Sequence, residues 1–156
     1  MNVKLSIVLV LVSAPLLYFA SKYAQELTFS SNQNATILQT DECDFGNEIC
    51  TATYKKQLIS ISSSNGLTTR EPMKIRVDMP EVIVKEFSNV QLLLQGKTMY
   101  MGIVHMDLQQ VGGAWVGELY LPFCTTQQMD WLLHVNFTDH AGGRYQASVA
   151  FQVAHY

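Results

Sequence analysis

Apolar and polar residues alternate with a period of two through much of this chain, which restricts it to β-structure. In MKIRVDM (73–79) and in YQASVAFQV (145–153), nearly every second residue is apolar and most of the residues between them are polar. On a β-strand, successive side chains point to opposite faces, so this pattern places one face in a core and the other in water. We predict strands with one wet face at both places.

Five further runs have the length of a strand, and residue pairs that contain glycine separate several of them. The runs are QLISIS (from Gln57), VQLLLQ (from Val90), MGIVHMDLQ (from Met101), WVGELYL (from Trp115) and WLLHVNF (from Trp131). The hairpin-type turn signals are Asn65-Gly66, Gly112-Gly113 and Gly142-Gly143. No helical period follows the first 23 residues. We therefore predict an all-β domain over residues 35–156, an immunoglobulin-like antiparallel β-sandwich of seven or eight strands.

The N-terminus carries a different signal, a hydrophobic run of sixteen residues, LSIVLVLVSAPLLYFA, between Lys4 and Ser21. As a helix this run spans about 24 Å, against about 30 Å for the hydrocarbon core of a bilayer, and Lys22 can snorkel to the interface. A cleaved signal peptide would need small residues at −3 and −1, but YFA and KYA each place a bulky residue at −3.

We accordingly predict one uncleaved transmembrane helix over residues 1–23, with residues 5–21 in the inner membrane, and a polar linker over 24–34. A cleaved signal peptide and a buried helix remain the alternatives. Lys4 and the free amino terminus favour a cytoplasmic N-terminus. The predicted protein is thus a single-pass protein of a bacterial inner membrane with its C-terminal domain in the periplasm.

Charge and motifs exclude several function classes. Beyond Lys22, eight Lys and Arg face thirteen Asp and Glu, and this negative balance disfavours nucleic acid because phosphate binding needs a basic face. The longest basic run, Lys55-Lys56, is interpreted as a solvated strand end. No nucleophile elbow, zinc-protease, dithiol, phosphate-loop or dinucleotide motif occurs, so we do not expect an enzyme.

Three cysteines carry the next prediction. Cys43 and Cys50 lie seven residues apart in DECDFGNEIC, and in an oxidising compartment we expect them to form a disulfide that closes a small loop. Cys124, in LPFCTTQQM, is then either a small buried hydrophobe or a thiol with a role of its own.

Soft metal ligands cluster along one stretch of the chain: Met99, Met101, His105, Cys124 and Met129. Thioether, thiolate and imidazole are the ligand set that selects Cu(I). If Met99 and Met101 share a strand, both face one side about 6.6 Å apart, and His105 could join them only through a bend at Gly102. The competing interpretation is that these methionines fill an irregular core or form a protein-contact surface, as Met commonly does.

The pattern from Cys43 to Val135 resembles a group of uncharacterised proteobacterial membrane-anchored periplasmic proteins. It consists of the CDFGNEICTA segment followed by MYMG, GAWVG, LPFC and MDW. Such proteins are similar in outline to FixH-like and YtkA-like domains. The resemblance does not include His105, and the positions that it marks are Cys43, Cys50, Met99, Met101, Gly102, Cys124, Met129 and Trp131.

This resemblance implies copper delivery or cytochrome oxidase assembly, with the oxidase itself or a copper chaperone as partner. The leading hypothesis from sequence is therefore a periplasmic accessory protein with a weak Cu(I) site. The alternative is a metal-free interaction module that docks on another membrane protein.

Overall fold

The computed structural model describes residues 35–64, 67–68, 70–122 and 128–154. The predicted anchor and linker, the Asn65-Gly66 turn and Cys124 lie outside these residues. In the described part of the chain the elements are β1 (Thr36–Ile37), β2 (Gln39–Thr40), β3 (Cys50–Tyr54), β4 (Gln57–Ser63), β5 (Met73–Asp78), α1 (Glu81–Val84), β6 (Phe87–Gly96), β7 (Ile103–Asp107), β8 (Gln109–Val111), β9 (Ala114–Leu119), β10 (Gln128–Asp139) and β11 (Arg144–Ala154).

The strands form two sheets. The first has the order β1-β11-β10-β6-β7 and the second the order β2-β3-β4-β5-β9-β8. β1 runs parallel to β11, and the other pairings between described strands are antiparallel. Inward-facing residues of both sheets join one hydrophobic core within the compact unit Ala35–Tyr156. The predicted β-sandwich is confirmed.

The period-two alternation appears directly as burial. On β5, Ile75 and Val77 are buried while Lys74 and Arg76 are exposed. The same alternation buries four apolar residues of β11: Ala147, Val149, Phe151 and Val153. Trp131 on β10 is buried between the sheets. One wet face and one core face are what an antiparallel sandwich requires of each strand.

Two buried leucines mark where the chain passes from one sheet to the other. Leu38 separates β1 from β2, and its N–H donates to the carbonyl of Gln146 at 2.8 Å. Leu108 separates β7 from β8, and its N–H donates to the carbonyl of Val90, also at 2.8 Å. Each crossing divides one extended segment between two sheets, so the described residues hold more strands than the seven or eight predicted.

Two local features differ from the sequence prediction. A single helical turn, α1, follows Pro80, whose carbonyl accepts the N–H groups of Ile83 and Val84; four residues are too few to show a helical period. Lys55 and Lys56 form the β3–β4 turn with φ of 46° and 66°. Paired positive φ angles define the type I′ hairpin turn, which normally takes Asn-Gly, so the sequence gives no sign of it.

Candidate functional site: the methionine end

Three of the predicted ligand positions lie around the connection between β6 and β7. Residues 97–102 form a loop, so Met99 and Met101 do not share a strand as the parity argument assumed. Met99 is half exposed, whereas Met101 packs against the core. Tyr100 between them is 83% exposed, and Ile103 at the start of β7 is also exposed. The loop therefore presents apolar side chains to solvent.

Gly96 holds this loop in place. It pairs with Trp131 on β10, and the next residue, Lys97, donates its N–H to the carbonyl of Asp130 at 2.9 Å. A Cβ at Gly96 would collide with the backbone carbonyl of Met99 and would lie 2.7 Å from the terminal methyl of Met129. The loop thus folds back over a position that only glycine fits.

Met129 packs against the β6–β7 loop from the core side. It lies on β10 opposite Val153, is 3% exposed, and brings its thioether methyl to the same point as the Met99 carbonyl. The structure therefore brings Met129 to the loop of Met99 and Met101, as a core residue. Sequence parity along β10 could have indicated this burial, because Met129 shares its face with Trp131 and Leu133.

His105 lies apart from this group. It is on β7 opposite Leu93 and faces solvent, four residues beyond Met101, which is about 13 Å along an extended strand. Its neighbour Met106 faces inward and packs against the core. The bend at Gly102 exists, with φ of 80°, but it precedes β7 and does not turn His105 towards the loop.

The predicted disulfide is confirmed. Cys43 and Cys50 are bonded with Cα atoms 5.5 Å apart. The loop they close is acidic and is held to the sandwich by Phe45, which is buried against Phe151 with ring centroids 5.5 Å apart. Phe151 pairs with Trp131, the partner of Gly96. The disulfide loop and the β6–β7 loop therefore lie at one end of the sandwich.

We name this the methionine end and define it as residues 41–49, 97–102 and 120–122. Two more exposed apolar side chains belong to it, Ile49 in the disulfide loop and Tyr120 after β9. Cys124 follows shortly in the chain but lies outside the described residues. Among those residues, no three His, Cys, Asp or Glu side chains come together as a metal-ligand group.

The outer face of the first sheet carries a polar row centred on His134. The ring of His134 is bonded on both sides, with Nδ1 2.8 Å from Ser148 Oγ and Nε2 3.1 Å from Gln95 Nε2. Burial lowers the pKa of His134. Both ring nitrogens of His134 are therefore already engaged by neighbouring side chains.

A cleft of about 620 Å³ lies beside β5 and β9, where β7 leaves for the other sheet. Gly117 lies at its floor, and a Cβ there would meet Leu108 and Met106. Three of its charged groups are held in ion pairs. Lys74 lies 3.4 Å from Glu118 within the cleft, and Arg76 bonds Asp78 outside it. The cleft was not predicted, because it arises from the sheet crossing at Leu108.

In the part of the chain that the structure describes, no helix has the length and apolarity needed to span a membrane. No protein-family model and no curated protein matches the sequence. One solved structure, the crystal structure of a Br derivative of BhCBM56, is similar with a TM-score of 0.39 and 14% sequence identity, over 67% of this chain and 98% of that chain. A likeness at this level carries no argument about function.

Proposed function

We propose that the sandwich is immunoglobulin-like, with one added hairpin. The order β11-β10-β6-β7, with β1 parallel beside β11, corresponds to strands G, F, C and C′, and the order β5-β9-β8 corresponds to B, E and D. The β3–β4 hairpin is then an insertion between the first strand and strand B. In such domains, function resides in the loops at the two ends of the sandwich.

We further propose that this domain is a membrane-anchored periplasmic accessory module that docks on another membrane protein through its methionine end. The observation that carries the proposal is the exposed apolar surface of the β6–β7 loop and the start of β7. Met99 and Tyr100 in the loop and Ile103 directly after it are 50%, 83% and 44% exposed, although the loop is packed against β10 at Gly96. Tyr and Met are enriched in protein interfaces. A preorganised loop also loses little conformational entropy on binding.

The partner surface that fits this end is an apolar pocket with a basic rim. The exposed Tyr100 ring supplies the central anchor, and burying it fully against a partner is the usual origin of an interfacial hot spot. The segment 41–49 beside it, which contains the disulfide loop, carries four acidic residues and no basic one: Asp41, Glu42, Asp44 and Glu48. Charge complementarity at the rim would orient the partner and speed association.

Photocrosslinking at single positions in the full chain tests this docking. A photoreactive amino acid at Tyr100, in membranes of the producing cells, is expected to give one discrete adduct of fixed mass. The same group at Val111, exposed on the β8–β9 hairpin at the opposite end, provides the matched control. Adding Met99→Ser to the Tyr100 reporter should reduce the adduct by roughly tenfold, as expected for loss of a hot-spot contact.

Two results would contradict the docking proposal. Equal adducts from Tyr100 and Val111 would show contact without a defined surface. An adduct of twice the mass of this chain would show self-association in place of a separate partner.

A second candidate function, Cu(I) binding at the same loop, is favoured by one specific observation. The terminal methyl of Met129 lies beside the start of the loop that carries Met99 and Met101, so three methionines come from one small region of the sandwich. Thioether sulfur is a soft donor suited to Cu(I). In this proposal Met99 and Met101 hold the ion and Cys124 adds a thiolate, with the domain serving copper delivery or oxidase assembly.

Titration of the reduced full chain with Cu(I) against a competing chelator tests this candidate. We expect a dissociation constant tighter than about micromolar for the natural chain and at least a tenfold loss in the Met99→Leu/Met101→Leu variant. His105→Ala serves as the matched control and should bind as the natural chain does, because His105 lies apart from the loop. Unchanged binding in the double variant would reject the site.

A further inference from the structure

The end of the sandwich opposite the methionine end is built from three charged segments, which we name the lysine end: residues 54–56, 81–86 and 139–144. Side-chain and backbone contacts hold them together. Lys55 Nζ lies 2.6 Å from Glu86 Oε2, and His140 donates its N–H to the carbonyl of Glu86 at 3.2 Å. The rings of Tyr54 and Tyr145 meet edge to face at 4.8 Å. These segments therefore present one common surface.

The acidic groups of this surface are engaged within the domain. Glu86 bonds Lys55 and Tyr54, and Glu81 bonds Lys85 at 2.9 Å. Asp139 accepts the N–H groups of Gly143 and Ala141, and these bonds lower the pKa of its carboxyl.

The three segments carry four basic and three acidic side chains, whereas residues 41–49 and 97–102 at the opposite end carry four acidic and one basic. The two ends therefore differ in the sign of their charge.

Lys56 extends the basic character outwards. It occupies the second turn position with φ of 66°, where a residue with a side chain is strained relative to its right-handed conformation. No ion pair holds its ammonium group among the described residues. The chain thus carries an exposed cation at a position where glycine would fold more easily.

Exposed aliphatic side chains lie on the elements at this end of the two sheets. Val82 on α1 is 77% exposed, and Leu58 lies on the strand that follows the Lys55-Lys56 turn. Ile37 on β1 and Val111 beside the β8–β9 turn are also more than half exposed. Lysines interspersed with exposed aliphatic residues form the kind of surface that lies against anionic lipid.

The chain joins the sandwich at this same end. Thr36 on β1 pairs with Tyr145, whose ring contacts Tyr54, and residues 1–34 precede it with the apolar run 5–20. From the charge, the aliphatic residues and this attachment, we propose that the lysine end lies on the anionic lipid surface of the membrane. This inference rests on the membrane anchor of the proposed function. The methionine end, being acidic, is repelled from the same surface and left open to a partner.

Fluorescence quenching by brominated lipids tests this orientation in the full chain. Val82→Trp places a reporter at the lysine end, and Tyr100→Trp is the matched reporter at the methionine end. Trp115 and Trp131 are buried in both variants and give a common background. In vesicles of brominated phosphatidylcholine and phosphatidylglycerol, we expect strong quenching of the Val82→Trp protein and none beyond background for Tyr100→Trp. Quenching should decline in high salt, which screens the lysines.

Removing the lysines provides the charge control. Lys56→Asn suits the left-handed turn conformation and Lys85→Gln keeps a good helix former, so neither substitution threatens the fold. Each is expected to weaken the contact roughly fivefold, and quenching at Val82→Trp should fall accordingly.

Flotation of the same vesicles distinguishes the proposed membrane anchor from the proposed orientation of the lysine end on the lipid. Protein that does not float contradicts the anchor and the orientation together. Protein that floats with equal quenching of the two reporters, or with no quenching of Val82→Trp, contradicts the orientation alone. Absence of quenching at Val82→Trp is also the result expected if the lysine end docks on a protein, because the vesicles contain no other protein.

Discussion

Replacement of Gly96 by alanine is expected to destabilise the domain by about 3 kcal/mol, at the upper end of the effect of overpacking a well-packed site. The added methyl would collide with the Met99 carbonyl and press on the Met129 methyl. The Met129 side chain can rotate, but the Met99 carbonyl moves only if the loop moves. Denaturant unfolding of the natural and variant chains measures the difference in free energy of unfolding, provided that the free energy falls with denaturant concentration at the same slope in both.

Gly143→Ala is the matched control for this prediction. A Cβ at Gly143 would meet the Asp139 carboxylate, with its Oδ2 at 2.5 Å, but that carboxylate is the end of a side chain and can shift. We expect a loss of no more than about 1 kcal/mol there. If Gly96→Ala proves as mild as Gly143→Ala, the loop is not held by backbone contact and the argument for preorganisation fails.

The same substitution links stability to the proposed docking. Gly96→Ala leaves Met99, Tyr100 and Ile103 chemically intact but displaces the loop that carries Met99 and Tyr100. The Tyr100 crosslink should therefore weaken in this variant although no contact residue has changed. Such a result would show that docking depends on the position of the loop and not only on the residues that it contains.

Strands with a clear alternation could be predicted from the sequence alone. β5 and β11 show the period of two because each has one face in the core and one in water. On β5, for example, Ile75 is buried and its neighbour Lys74 is exposed. The pairing of Gly112 with Gly113 likewise indicated its hairpin, since both have positive φ. Local physics is sufficient where burial and backbone conformation are decided within a few residues.

Features that depend on distant partners could not be predicted. The crossings at Leu38 and Leu108 are set by backbone bonds to Gln146 and Val90, and no pattern around either leucine shows that the chain changes sheets there. The Lys55-Lys56 turn is held by packing and by Glu86, against the local preference for Asn-Gly.

The candidate site was predicted in part. Its residue types were evident from the sequence, but their arrangement followed from a loop where a strand was assumed. Met101 faces the core and Met99 faces solvent because residues 97–102 leave the sheet. The convergence of the disulfide loop with this loop depends on Phe45 and Phe151, which are more than 100 residues apart.

Removal of the Cys43–Cys50 disulfide should produce the second large effect. The bond closes a short loop, with its two cysteines seven residues apart, and constraining a loop of this size in the unfolded chain stabilises the folded state by about 2.5 kcal/mol. The Cys43→Ala/Cys50→Ala variant is therefore expected to melt roughly 10 °C below the natural chain. Reduction of the natural chain should give a similar decrease, while the variant should not respond to reductant.

Packing of Phe45 determines how ordered the loop stays once the Cys43–Cys50 disulfide is removed. Its ring is buried against Phe151, so the disulfide and this contact both fasten residues 44–48 to the methionine end. If the disulfide is the main constraint, hydrogen exchange at the N–H groups of Asn47 and Glu48, which bond the Asp44 carbonyl, will accelerate on reduction. If Phe45 alone is sufficient, exchange and melting temperature will both stay unchanged, and the prediction is wrong. Because the acidic rim belongs to this loop, the first outcome also predicts slower association with a basic partner after reduction.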